Sequence, residues 1–346
     1  MVDAHMSRLV VALSFLAACG PSTSTGPFKP LGSATLAESS MQDSHGIFGL
    51  VANDDHVVVG TREGQLLVFD GNQKFAATNT LETRAIGRVL LGDTRAFGSL
   101  AIRGTVLYAG LASGLLKVVS LADPTNPAVT ATITIIPGTV VATTNSHFLF
   151  VSSGVRTQAI DISVSPPTVV VPELPLTSVL ALVATETHLY STDPGQTAVN
   201  AWTLGAGGQA TPLSQGRLAM APHVSALAVR GTTVLVANSG VLGLFDVSTP
   251  EAPTLLNPNP GSVAHTRDWP YGEPVQGVAV MASGQAIAPG YTPVVYELSK
   301  PEAVVGTAVG ISMPSTFDLE LQAYAAATRT QFWTAGHFTV HAFARD

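Results

Sequence analysis

One unit recurs seven times along this chain, and recurrence of this kind leaves few folds open. Its clearest part is a short apolar strand running into a turn: Val57-Val-Val-Gly60, Leu107-Tyr-Ala-Gly110, Leu149-Phe-Val-Ser152, Leu189-Tyr-Ser-Thr192, Leu235-Val-Ala-Asn238, Ala286-Ile-Ala-Pro289 and Phe332-Trp-Thr-Ala335. An apolar segment precedes each copy, at 48–52, 99–102, 140–143, 179–183, 225–229, 276–280 and 317–321. A third segment follows each, at 66–70, 115–121, 158–162, 199–204, 242–247, 294–298 and 338–343, and a fourth closes most units, as at 129–135 and 169–171. Copies are spaced by about 40 to 51 residues, the length of a four-stranded blade rather than of a helical repeat. The segments alternate or run apolar between turn formers, and no helix-period stripe of useful length appears among them.

A twisted four-stranded sheet cannot bury both of its faces alone, so such units stack around an axis. Seven copies predict an all-β, seven-bladed β-propeller of four-stranded antiparallel blades. With 46% hydrophobic and 11% charged residues the chain can fill so large a core, and 32 glycines and 23 prolines suit many short strands. The seventh unit stops at its third strand, Phe338-Thr-Val-His-Ala-Phe343, leaving an open edge of unpaired backbone groups. Leu31-Gly-Ser-Ala-Thr-Leu-Ala-Glu38 is a spare strand well placed to close that blade.

Ahead of the repeats, Arg8 and the apolar run from Leu9 to Leu16 end in small residues, the layout of a secretory signal. The run falls well short of the ~20 residues that a membrane span needs. Leu16-Ala17-Ala18-Cys19 resembles the bacterial lipobox, whose cysteine is lipidated and becomes the mature N-terminus. The organisation expected is a signal peptide at 1–18, a flexible tether at 19–30 rich in Ser, Thr, Gly and Pro, and one propeller domain at 31–346. Gly20, rather than aspartate, after the cysteine favours the outer membrane by the same resemblance. Cys19 is the sole cysteine, so acylation leaves no thiol for a disulfide, a metal or a nucleophile.

The third strand and its turn carry a second resemblance. Leu244-Phe-Asp-Val-Ser-Thr-Pro-Glu-Ala-Pro253 is similar to the signature of the LVIVD-repeat bacterial β-propellers. Val118-Val-Ser-Leu-Ala-Asp-Pro-Thr-Asn-Pro127, Ala159-Ile-Asp-Ile-Ser-Val-Ser-Pro-Pro167 and Val295-Tyr-Glu-Leu-Ser-Lys-Pro301 follow with departures, and the first, fourth and seventh units lack the proline turn. The resemblance implies secretion and a propeller, with no reaction, cofactor or catalytic residue to carry over. No repeated Trp-Asp ending is present, which sets the chain apart from the WD40 branch.

Asp70, Asp161, Asp246 and Glu297 recur at equivalent places and read as turn fasteners rather than as a ring of ligands. Ser191-Thr-Asp-Pro-Gly-Gln-Thr197 resembles the Asp-box of sialidase-type propellers, with Ala198 in place of tryptophan, and reads as an Asp-Pro-Gly turn between second and third strands. His337 and His341, four apart in what reads as a strand, share a face there but have no visible third metal ligand. No GxSxG elbow, HExxH helix, P-loop or EF-hand loop occurs.

In propellers, the loops leading into first strands and those joining second to third strands gather at one face around the channel. Here the first kind carries His45, Arg95, His223, Glu273 and Asp318; the second carries Arg62, Arg156, Asp193, Asn238 and Tyr291. This polar mouth is the expected recognition surface, against the plainer reading of a solvated rim. The long loop at 257–273 adds His265, Arg267, Asp268, Trp269 and Tyr271, either as a partner contact or with Trp269 plugging the loop onto blade six.

The function expected is therefore that of a lipid-anchored envelope protein, a monomer whose propeller binds a protein or small ligand, without a cofactor. The formal charge of −7 and the lack of basic runs argue against nucleic acid. The alternative is a lactonase-like hydrolase, possible metal included, with its site at the channel mouth.

Overall fold

The computed structural model describes residues 28–37, 46–76, 79–92, 98–139, 141–176, 179–193, 195, 197–219, 224–238, 241–257, 277–289, 293–308 and 324–345. They begin with an outlying strand, β1 (Phe28–Thr35). Blade one follows as β2 (Ile47–Ala52), β3 (His56–Thr61), β4 (Gln65–Asp70) and β5 (Gly87–Leu90). Blade two is β6 (Gly98–Arg103), β7 (Val106–Leu111), β8 (Leu115–Ser120) and β9 (Ala128–Thr134). Blade three is β10 (Val141–Thr144), β11 (Phe148–Ser152), β12 (Thr157–Asp161) and β13 (Thr168–Leu174). Blade four is β14 (Leu182–Ala184), β15 (His188–Thr192), β16 (Ala198–Leu204) and β17 (Ala210–Ala219). Blade five is β18 (Val224–Arg230), β19 (Thr233–Asn238), β20 (Val241–Asp246) and β21 (Thr254–Leu255). Blade six is β22 (Ala279–Val280), β23 (Gln285–Ala288), β24 (Val294–Glu297) and β25 (Val305–Ala308). Blade seven is β26 (Tyr324–Ala327), β27 (Gln331–Ala335) and β28 (Thr339–Arg345), with β1 as its fourth strand.

The chain is thus a seven-bladed propeller of four-stranded antiparallel sheets, closed by its own N-terminal strand. First strands line the axis, each beside the next, and the ring shuts where β26 meets β2. Among the described residues, helix is limited to one turn, α1 (Leu81–Arg84), and a 3-10 turn at Pro301–Ala303.

The core lies in the seams. Buried side chains form seven clusters, one between each pair of adjoining blades. Val57 and Val59 face blade seven, where they meet Trp333 and Val340, while Val58 faces blade two, with Leu107 and Val119. Middle strands are buried on both faces, which is why they read as unbroken apolar runs. Each fully buried Val or Leu in a seam contributes about 1.5–3 kcal/mol relative to exposure. Outer strands are guarded in another way: β9, β13 and β17 each break register against their neighbour. Such bulges twist an edge away from further pairing.

Several strand bounds shift, among them 179–183 to β14 and 276–280 to β22, and two further shifts have a cause in packing. The closing strand starts at Phe28 rather than Leu31, so residues 28–30 belong to the sheet rather than to the tether, and Glu38 lies outside the described residues. Phe28 is drawn in because its ring sits 5.4 Å from that of Phe332 in the seam with blade six. The first strand of blade seven is Tyr324-Ala-Ala-Ala327, later than the alternating 317–321, which also lies outside the described residues. Alanine has low strand propensity, but Ala325 and Ala327 line the axis, where tertiary packing overrides propensity.

Candidate binding face

Strands alternate in direction, so the loops leading into first strands and those joining second to third strands share one face. Backbone hydrogen bonds stitch the described part of that face together. In blade one Leu91 N–H donates to Gly64 O at 2.8 Å; in blade two Ile135 N–H donates to Gly114 O at 2.8 Å and Gly138 N–H to Ala112 O at 3.0 Å. Across the seam from blade three to blade four, Val179 N–H donates to Gly154 O at 3.0 Å. Ile47 N–H reaches His337 O of blade seven at 2.7 Å, and Arg62 N–H reaches Gly46 O at 2.6 Å. Gly64, Gly114 and Gly154 all have positive φ (75°, 84° and 82°). The recurring glycine just before the third strand was the available sequence signal for this stitching.

Asp193, one of the expected mouth residues, is fully engaged. Its Oδ1 accepts Thr197 N–H at 2.7 Å and Ala198 N–H at 3.2 Å, and its Oδ2 accepts the Thr197 hydroxyl at 3.1 Å and Arg217 Nη2 at 3.0 Å. Burial alone would raise its pKa, but these N–H donors, the hydroxyl and the guanidinium outweigh it and hold the carboxyl below its usual range. It fastens the second-to-third turn of blade four, in line with the turn reading of 191–197. Asn238 ends β19, where its backbone pairs with Val224 and Val241. Arg156 and Val155 stand exposed on the blade-three loop.

The remaining expected residues, His45, Arg95, His223, Glu273, Asp318 and Tyr291 of the mouth, His265, Arg267, Asp268, Trp269 and Tyr271 of the long loop, and Cys19, lie outside the described residues.

The aspartates of the third-strand turns behave as fasteners. Asp70, Asp161 and Asp246 each accept, through Oδ1, the N–H two residues on, from Asn72, Ser163 and Ser248, at 2.8, 2.8 and 2.9 Å. Asp123 does the same for Thr125 at 3.0 Å. The Ser163 hydroxyl and then its N–H hold the Asp161 carboxyl below its ordinary pKa. Glu297 departs from this set. It pairs with Gln285 across β23 and β24 and accepts its Nε2 at 3.0 Å, so it faces the seam with blade seven rather than the turn. The two histidines also part company: His337 precedes β28 in the turn, and His341 lies within the strand, buried at 2% exposure.

At the opposite face the axis opens into a cavity of about 260 Å³ walled by Val51, Ala52, Ile102, Val280 and Ala325. Among the described residues no group of three or more His, Cys, Asp or Glu is placed to hold a metal.

No protein-family model matches the chain, and no curated protein matches it. Solved structures do. The β-propeller domain of Cps50 (Swd1) from Myceliophteria thermophila aligns with TM-score 0.59 at 13% identity, over 87% of this chain and 100% of that one. A chain of a Mitotic Checkpoint Complex aligns with TM-score 0.63 at 14% identity, over 98% and 99%. The computationally designed Ika8 protein aligns with TM-score 0.55 at 12% identity, over 91% and 99%. At such identities the likeness is one of fold.

Proposed function

We propose that this chain is a binding scaffold, held to a bacterial envelope membrane by a lipid on Cys19, that presents its stitched face to a protein partner. The observation that carries this reading is the backbone stitching of that face. Loops tied by backbone hydrogen bonds, as the described ones are, lose little conformational entropy on docking, which favours recognition. The direction of β1 adds to it. Phe28 pairs with Arg345 and Thr35 with Thr339, so the chain enters blade seven from the face opposite the stitched loops. An anchor at Cys19 then points those loops away from the bilayer. The nine steps from Cys19 to Phe28 reach at most about 30 Å, so the propeller rides close to its membrane. The outer membrane is the favoured site, through the resemblance of 16–20 to the lipobox.

The test has two arms. Replacing Cys19 by Ala releases the protein from the membrane fraction if the lipid holds it; an unchanged distribution overturns the anchor. Crosslinking in envelope extract with a photoreactive residue at Val155 identifies a partner, whose binding then weakens on Trp269→Ala with Arg267→Ala. Stoichiometric metal in the purified protein together with lactone hydrolysis would replace the scaffold reading with the hydrolase one.

A further inference from the structure

The excursion between β4 and β5 does more than join two strands. From Gly71 it leaves blade one, crosses to blade seven, and returns through α1 at Ile86, whose N–H donates to Val68 O at 2.8 Å. On the way it meets the outer edge of β1, the edge that β28 does not use. Phe75 N–H donates to Leu31 O at 3.0 Å, and Thr35 N–H donates to Asn79 O at 3.3 Å. Past the strand's end, Ala37 N–H lies 3.2 and 3.1 Å from Glu82 Oε1 and Oε2. A Cβ at Gly32, where φ is +108°, would run into the Phe75 carbonyl oxygen, so the two segments touch backbone to backbone.

The excursion is itself braced. Phe75 packs edge-on against Trp333 with centroids 5.2 Å apart, and Leu81 is fully buried in the same seam. Ala76 N–H donates to Asn79 Oδ1 at 2.7 Å, Gln73 Nε2 to Arg84 O at 3.0 Å, and Arg84 Nη2 to Lys74 O at 3.2 Å.

We infer that residues 71–76 and 79–86 form a strap that locks the N-terminal strand in its slot, and that without the strap this slot takes up an extended peptide of the chain's own N-terminal sequence. A terminal strand held along one edge frays and exchanges at low free-energy cost, because few contacts must break for it to leave. Bonded along both edges, β1 can leave only when the strap lifts with it. The slot is specific, since Phe28, Ala34 and Leu36 are each buried to 2% exposure or less. The strap thereby sets whether a second copy's strand can enter, the step that starts domain swapping. The inference stands whether or not Cys19 is lipidated.

The experiment offers a fluorescent peptide of residues 28–37 to the full chain and to its Glu82→Ala and Asn79→Gly variants, and follows uptake alongside backbone hydrogen exchange. Uptake at least tenfold faster in Glu82→Ala than in the parent supports the strap, provided that Ser33 and Ala34 amides exchange faster while Val58 and Leu67 amides do not. Equal uptake rates, or exchange accelerated throughout the ring, overturn it. The parent protein supplies a check that needs no variant: free-peptide exchange rates at the Thr35 and Ala37 amides also overturn the inference.

Discussion

Asn145 Nδ2 donates to Thr185 O, 3.0 Å away in the next blade, while its Oδ1 accepts the N–H groups of His147 and Phe148 at 2.9 and 2.8 Å. One amide thus closes its own turn and ties blade three to blade four. Asn53 repeats the arrangement, holding the N–H groups of Asp55 and His56 and donating to Gly104 O of blade two at 2.7 Å. In other first-to-second strand turns, on the face opposite the stitched loops, the same task falls to other chemistry. Arg230 Nη2 bonds Ala282 O at 3.1 Å, and Arg329 N–H bonds Asp54 O at 3.2 Å.

Asn145→Ala is expected to cost about 2 kcal/mol, because it leaves buried backbone groups without partners. Asn53→Ala, at a more solvated turn, is expected to cost less, about 1 kcal/mol. Urea midpoints of the two variants measure the difference, and the reverse order would show that the inter-blade bond at Thr185 is not the deciding one.

His341 predicts acid sensitivity. It is buried, its Nε2 has no hydrogen-bond partner, and burial pushes its pKa down to about 4. The neutral form is the folded one, whereas the unfolded chain takes up a proton below the ordinary value of 6.5. Stability is therefore fully present above pH 6.5 and lost as pH falls toward 4, by about 3 kcal/mol in all. His341→Leu should flatten that limb in thermal unfolding scans between pH 7 and 4. A limb of unchanged slope would place the proton uptake elsewhere.

Asp193 and Arg217 are expected to differ as partners. Asp193→Ala strips acceptors from Thr197 and Ala198 N–H and should lower stability by about 2 kcal/mol. Arg217→Ala removes a side chain that is 58% exposed, against 12% for Asp193, and should change stability by less than about 1 kcal/mol. Chemical denaturation of both variants tests the contrast.

Removing residues 28–37 should open the ring. The deletion uncovers the edge of β28 and takes Phe28, Ala34 and Leu36 out of their seams. A loss of at least about 5 kcal/mol is expected, on the scale of large core truncations. An unfolding midpoint within a few degrees of the parent would show that three strands suffice in blade seven.

The repeats announced the architecture because a middle strand buried on both faces has to be apolar throughout, and Val57-Val-Val-Gly60 or Phe332-Trp-Thr-Ala335 cannot hide that. Asp70, Asp161 and Asp246 were equally legible, since an aspartate ahead of a turn has one local task. Glu297 was not, because its role depends on Gln285, twelve positions earlier and on another strand. His341 gave no sign of its isolation either, as burial without a partner is a property of surroundings.

Local chemistry thus settled the seven units, their four strands and the missing edge at the end, for those follow from backbone hydrogen bonding and from apolar periodicity within short windows. Three-dimensional packing alone settled the rest. It drew Phe28 into a seam, turned the β4–β5 connection into a strap over β1, and gave Asp193 to Arg217. Each of these joins residues far apart in the chain, and such contacts exist only once the ring has closed and brought them within hydrogen-bonding or van der Waals range.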